Sequence, residues 1–160
     1  MALKPLSVVV LDAGGHVLAF EREDGAAPGR FAIAHGKAYG AVMLGMAGTA
    51  QMVRAEQQAY FMAAVNGVYG GQVVPVPGGV LLRSEAGVVI GAVGVTGDTS
   101  DNDAEAAMAG IRATGLNGEA WLVCPTSCEV GQANRPQTTW PMWKLRRICS
   151  FLRADGGSRP

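Results

Sequence analysis

Apolar and polar positions along this chain alternate between two periods. Leu6 to Asp12 (LSVVVLD) is an unbroken β-branched and aliphatic run, which predicts a buried strand. Ala13-Gly14-Gly15-His16 is a turn, and Val17 to Arg22 (VLAFER) returns from it, so the two runs form a β-hairpin. After the loop from Glu23 to Gly29 the period lengthens. From Phe31 to about Gly45, the residues Phe31, His35, Ala38 and Val42 recur at helical spacing, and Ala34, Ala41 and Gly45 widen the side that can pack closely. Thr49 is placed to cap a second helix running to about Val65, with Asn66-Gly67 as its stop.

The pattern then returns to strands. Val73 to Val76 is short and interrupted by prolines; Val80 to Arg83 follows the turn Pro77-Gly78-Gly79; Val88 to Thr96 follows the turn Ser84 to Gly87. The last of these is long, apolar and dotted with glycine, which predicts a central strand buried on both faces. Ser100-x-x-Asp103 has the form of a capping box opening a third helix, with Asp101, Asp103 and Glu105 suited to its positive end, and Gly115 closes it. The order β-β-α-α-β-β-β-α predicts an α/β domain of the α+β kind, a five-stranded and largely antiparallel sheet flanked by helices.

Composition narrows the function. With 160 residues, 49% hydrophobic and 16% charged, the chain can bury a sizeable core. Basic and acidic residues balance at 13 each, so there is no general basic field to hold a phosphate backbone, and nucleic acid is not an expected partner. No apolar run approaches the ~18 residues of a membrane span. The run Leu6 to Leu11 is too short for a secretory signal and meets Asp12. The expectation is a cytoplasmic protein without a membrane partner. Cys124, Cys128 and Cys149 are odd in number, and no histidine follows His35, so a closed zinc site would lack its fourth ligand. Unpaired thiols are expected.

Charge also shifts along the chain. Residues 117–160 hold every tryptophan and every cysteine, and carry Arg135, Lys144, Arg146, Arg147, Arg153 and Arg159 against Glu119, Glu129 and Asp155. This divides the chain into a body, 1–116, and a basic Trp- and Cys-containing C-terminal extension, 117–160. Trp140 to Leu152 reads as a short basic amphipathic helix. The extension is expected to pack on an acidic subunit surface, its own or a neighbour's.

The ordered motifs carry a resemblance. Val10-Leu-Asp-Ala-Gly-Gly-His-Val-Leu-Ala-Phe20, followed by Asp24-Gly25-Ala26, resembles the signature hairpin of the GlcG / HbpS / PduO C-terminal domain family. Ile33-Ala-His-Gly-Lys-Ala-Tyr-Gly-Ala41 is similar to its IAxxKAxTA helix, Pro77-Gly-Gly-Val80 to its PGGV turn, and Val89 to Gly97 to its GxIGVSG strand. Asp101 to Glu105 matches its acidic helix start. These matches run in family order over roughly residues 6–116. The resemblance implies a profilin-like domain assembled into a homo-oligomer, with haem binding in some members and links to corrinoid metabolism in others. Three departures stand out. Only Met1 to Pro5 precede the first strand, where the family normally has a helix; Gly40 replaces the usual threonine; and the segment after Leu116 matches nothing in the family.

The candidate chemistry centres on the hairpin and the first helix. His16, held between glycines and Val17 on a tight turn, is either a polar turn residue or, as the resemblance implies, a ligand to haem iron. Phe20, Tyr39 and Met43 would form an apolar wall. Lys37 or Arg22 would meet a propionate, unless Lys37 pairs internally with Asp24 or Asp12. His35 reads as a satisfied buried group or a second ligand. Asp12 is expected to accept backbone N–H groups of its own turn. The leading expectation is a small protein that binds haem or a related tetrapyrrole. The alternative is a cofactor-independent catabolic enzyme acting on a small carboxylate or hydroxy-carbonyl compound, with His16, Lys37 and Asp12 moving protons. Either requires His16 and Lys37 to meet over a common apolar hollow. A third reading is a structural or regulatory partner protein that uses its basic extension for contact.

Overall fold

A computed structural model describes residues 3–121. Strand β1 (Ser7–Asp12) and β2 (Val17–Arg22) form the expected hairpin. Three helices follow, α1 (Arg30–Leu44), α2 (Gly48–Gln57) and α3 (Ala59–Val68). Then come β3 (Gly79–Arg83), β4 (Val89–Thr96), α4 (Ser100–Thr114) and a short β5 (Asn117–Glu119). The sheet order is β2-β1-β4-β3-β5, antiparallel throughout, so β4 is central as its composition predicts. Among the described residues no helix is long and apolar enough to cross a membrane.

Both faces of the sheet are covered, and the two-residue alternation sorts side chains between them. Val8, Val10, Val80, Leu82, Val93 and Val95 point toward α4 and meet Ala106, Ala107 and Ile111. Val9, Leu11, Leu81 and Ala92 point the other way, against Ala34, Ala38 and Ala41 of α1. α1 lies unusually close to the sheet because the contact is made by small residues. A Cβ added at Gly94 would stand 2.0 Å from the Ala34 carbonyl oxygen, and one at Gly79 would stand 2.3 Å from that of Lys37.

Several expectations need correction. The face α1 presents to the sheet is alanine-rich; Phe31 and His35 lie to one side of it, Phe31 largely exposed and His35 half-buried. Thr49 sits inside the first turn of α2, buried, while Ala47 takes the cap position. The single second helix is two, broken at Gln58 with φ −137° and ψ 56°; Gln57, Gln58 and Ala59 are all good helix formers and give no warning of it. Gly67 stays helical, and the left-handed positions that end α3 come later, at Gly70 and Gly71. Lastly, Val73–Val76 is not a strand. Its N–H groups bond to Asn66 Oδ1 and the Gly36 carbonyl instead, and the free edge of β3 is taken by β5. At α4 the cap falls one residue earlier than predicted: Thr99 Oγ1 accepts from the Asn102 N–H, and Asp103 is buried. The cysteines and the segment Trp140 to Leu152 lie outside the described residues, as does all of the extension beyond Trp121.

The family threonine has no room at Gly40. A Cβ there would stand 2.7 Å from Gln51 Oε1 and 2.9 Å from Val73 Cγ1, so the buried Gln51 side chain occupies the space.

Candidate functional site

The β1–β2 turn holds its histidine by one carboxylate. Asp12 Oδ1 accepts from the Gly14 N–H at 2.8 Å and the His16 N–H at 2.9 Å, the expected Asx arrangement. The same carboxylate faces His16 Nδ1 at 3.2 Å. Desolvation works against ionising Asp12, but these backbone bonds and the imidazole outweigh it and hold its carboxyl below the usual range. An ionised carboxylate only accepts, so Nδ1 is the donor in this contact and Nε2 is the ring nitrogen outside it. The His16 side chain is 82% exposed. Its turn rests on α1: a Cβ at Gly15 would stand 2.7 Å from Met43 Cε and 3.2 Å from Tyr39 Cε2.

From this turn an aromatic stripe runs along the outside of α1. Tyr39 stacks on His35 at 5.5 Å between ring centroids, His35 lies 5.9 Å from Phe31, and Phe31 meets Phe20 of β2 edge-on at 4.9 Å. Tyr69 closes the other end against Tyr39. Beside the stripe is an open, mostly apolar groove of about 470 Å³, in the range of small-molecule sites. Val17, the residue after His16, lines it together with Phe31, Ile33, His35, Gln72 and Val74. Burial pulls the His35 imidazole below its ordinary value of 6.5 and keeps it neutral at pH 7. A depressed folded-state value contributes stability above 6.5 that is lost as the pH falls through the lower folded value. The Tm of the protein should therefore fall between about pH 7 and about pH 5 more steeply than that of His35→Phe. Parallel profiles would remove this role from His35.

The structure brings His16, Asp12, Tyr39 and Met43 together, with Phe20 at the far end of the same stripe, but it separates Lys37 from them. Lys37 is 2% exposed, and its Nζ donates to Asp103 Oδ2 at 2.8 Å, not to Asp12 or Asp24. The ammonium lies against Gly78, whose carbonyl accepts from Val95 near one end of β4, while Asp12 pairs with Gly91 toward the other. Four residues of strand, ~13 Å, lie between those positions. No common hollow joins Lys37 to His16. Burial pulls Lys37 down and pushes Asp103 up; their hydrogen bond opposes both shifts, and the nearby Arg30 adds to the pull on Lys37. Arg22 is also engaged, donating to the Ala26 carbonyl.

Sequence reasoning missed Asp103 as the partner of Lys37 and underrated Phe31 and His35 as groove lining. The 31, 35, 39 spacing was a visible signal for the stripe; nothing local announced the ion pair, whose members are 66 residues apart. Among the described residues no group of three or more metal-binding side chains comes together.

Residues 2–112 match the family model described as haem degrading protein HbpS-like. Among solved structures, a PduOC:haem complex aligns with a TM-score of 0.64 at 25% identity, over 72% of this chain and 83% of that one. HbpS aligns with a TM-score of 0.58 at 26% identity, over 68% and 72%. Klebsiella pneumoniae ORFY aligns with a TM-score of 0.57 at 26% identity, over 66% and 71%. No curated protein matches the chain.

Proposed function

The chain belongs to the HbpS-like family, and from that premise we propose that it is a cytoplasmic, homo-oligomeric protein that binds haem or a related tetrapyrrole. The observation that carries this reading is the Asp12–His16 pair at the head of the aromatic stripe. A carboxylate on Nδ1 orients an imidazole and raises the basicity of Nε2, the relation found around metal-bound histidines. The residues fit the group: an exposed imidazole for iron, and apolar, largely aromatic surface from Phe20, Phe31, Tyr39 and Met43 for the macrocycle. When bound, haem supplies a redox-active iron; the protein supplies the ligand, its orientation and partial exclusion of water. The solved PduOC complex with haem is consistent with this. The enzymatic alternative draws on Asp12, His16 and Lys37 together, and the burial of Lys37 against Asp103 leaves it without its ammonium.

Haem titration tests the proposal. The wild-type protein should develop a Soret band, and His16→Ala should abolish or shift it. Asp12→Asn should retain the band but weaken affinity by about 10–100-fold, as loss of an orienting carboxylate does. A wild-type protein with no Soret band, or a His16→Ala variant identical to wild type, overturns the assignment.

A further inference from the structure

The far wall of the groove beside the aromatic stripe is the segment 71–74, and the chain fixes it in place. The Val74 N–H donates to the Gly36 carbonyl at 3.2 Å, and the Val73 N–H to Asn66 Oδ1 at 3.0 Å. A Cβ at Gly36 would stand 2.6 Å from Val74 Cγ2 and 2.7 Å from the Gln72 carbonyl oxygen, so this wall seats directly on α1. The lining side chains are apolar except for Gln72 and His35, and His35 is the one ionisable group among them. Val17 follows His16 in the chain, so a flat ligand held at His16 and lying on the stripe meets the groove with one edge.

A carboxylate finds no partner there. The hairpin and the three helices after it carry Arg22, Arg30, Lys37 and Arg54, and all are turned elsewhere. Lys37 is buried against Asp103, Arg22 donates to the Ala26 carbonyl, Arg30 donates to Thr96 Oγ1 at 3.1 Å, and Arg54 lies over the Phe61 ring. Residues 12–24, which hold the candidate iron ligand, set Asp12, Glu21, Glu23 and Asp24 against Arg22. An acid group entering the groove would lose water and gain no counter-ion, in a field of its own sign. An apolar edge there frees water from apolar walls and leaves no charge unpaired.

We propose that the groove is a subsite for the uncharged edge of the ligand. It takes the vinyl-bearing side of haem and leaves the propionates directed away from it, toward solvent. The chain then selects its ligand by a flat face and an apolar rim, and it accepts tetrapyrroles with neutralised acid groups as readily as haem itself. This rests on the haem reading above and adds to it which edge is recognised.

Soret titrations of the full chain with haem, deuterohaem and haem dimethyl ester test it, all in one non-ionic detergent and with His16→Ala as background. Deuterohaem carries hydrogen in place of each vinyl group and should bind about tenfold more weakly than haem. The dimethyl ester has no charge at the opposite edge and should bind within about threefold of haem. Ile33→Lys separates the two orientations by sign. It sets an ammonium on the groove wall at an exposed position. With the vinyl edge in the groove it weakens haem and ester alike; with the propionates there it tightens haem selectively. Circular dichroism is the fold control, and if this variant loses its helical spectrum the three-ligand comparison decides. An ester bound about tenfold or more weakly than haem, a deuterohaem bound as tightly as haem, or a tighter haem complex of Ile33→Lys overturns the subsite and leaves the haem reading standing. No Soret band with any of the three overturns the haem reading, and the subsite with it.

Discussion

Asp103→Ala is expected to cost about 3–5 kcal/mol of folding stability, read as a fall in Tm of roughly 10–20 °C. The carboxylate is 1% exposed and serves two donors, Lys37 Nζ at 2.8 Å and the Asp98 N–H at 3.0 Å. Removing it leaves an ammonium buried without its counter-ion and an orphaned backbone donor, which is far worse than never having had the pair. The double variant Lys37→Met with Asp103→Ala should therefore recover much of the loss. Raising the pH should also help the single variant. An unpaired buried lysine titrates below its ordinary 10.5, and the neutral form it reaches in the folded state carries no desolvation penalty. The partly exposed Arg83–Glu119 pair between β3 and β5 provides a contrast, since solvent still reaches both groups and its removal should cost about 1 kcal/mol. Urea denaturation of the wild type and these three variants measures all of this. A single Asp103→Ala variant within 1 kcal/mol of wild type would mean that the ion pair contributes little net stability.

Gly94→Ala is expected to be at least as damaging, upwards of about 4 kcal/mol, enough to leave a domain of ordinary stability barely folded. The methyl group would enter at 2.0 Å from the Ala34 carbonyl oxygen and 3.0 Å from Ala38 Cβ. Neither is the movable end of a flexible side chain. To make room, α1 must lift from β4, and that separates Ala34, Ala38 and Ala41 from Val9, Leu11, Leu81 and Ala92 together. Gly29→Ala is the control, because a Cβ there meets nothing within 4 Å and φ is −67°; it should stay within ±0.5 kcal/mol of wild type. Equal melting temperatures for Gly94→Ala and Gly29→Ala would show that α1 does not ride on β4 as described.

The hairpin was legible in the sequence down to its residues, and with it the pairing of Asp12 with its own turn. Those features are local: a β-branched run, two glycines, and an Asx side chain within four residues of its donors. The central place of β4 was legible too, since a strand apolar at successive positions must be covered on both faces. β5 was not. Asn117–Glu119 has no strand propensity and pairs only because β3 presents an open edge, and a Cβ at its Gly118 would press within 3.0–3.2 Å of Met108 and Ile111 of α4. Val73–Val76 has the composition of a strand, but Pro75 and Pro77 cannot donate to a ladder; the Val73 and Val74 N–H groups find partners in α3 and α1, and that of Val76 turns back to the Val74 carbonyl.

The candidate site divides along the same line. His16, Tyr39 and Met43 could be grouped from the sequence because a hairpin turn and the helix after it have few ways to pack. Lys37 could not be assigned, because a helix of this composition can rotate either of two faces toward the sheet, and its sequence alone does not say which. Periodicity by itself determined the elements, their order and the covered sheet. The absence of side chains at Gly79 and Gly94, on strands far along the chain, decided which face of α1 lies against the sheet. That orientation buries the lysine beside Asp103 and leaves Phe31, His35 and Tyr39 along the groove. Periodicity is a property of neighbours in sequence, whereas closeness of approach belongs to surfaces that meet only once the chain has folded.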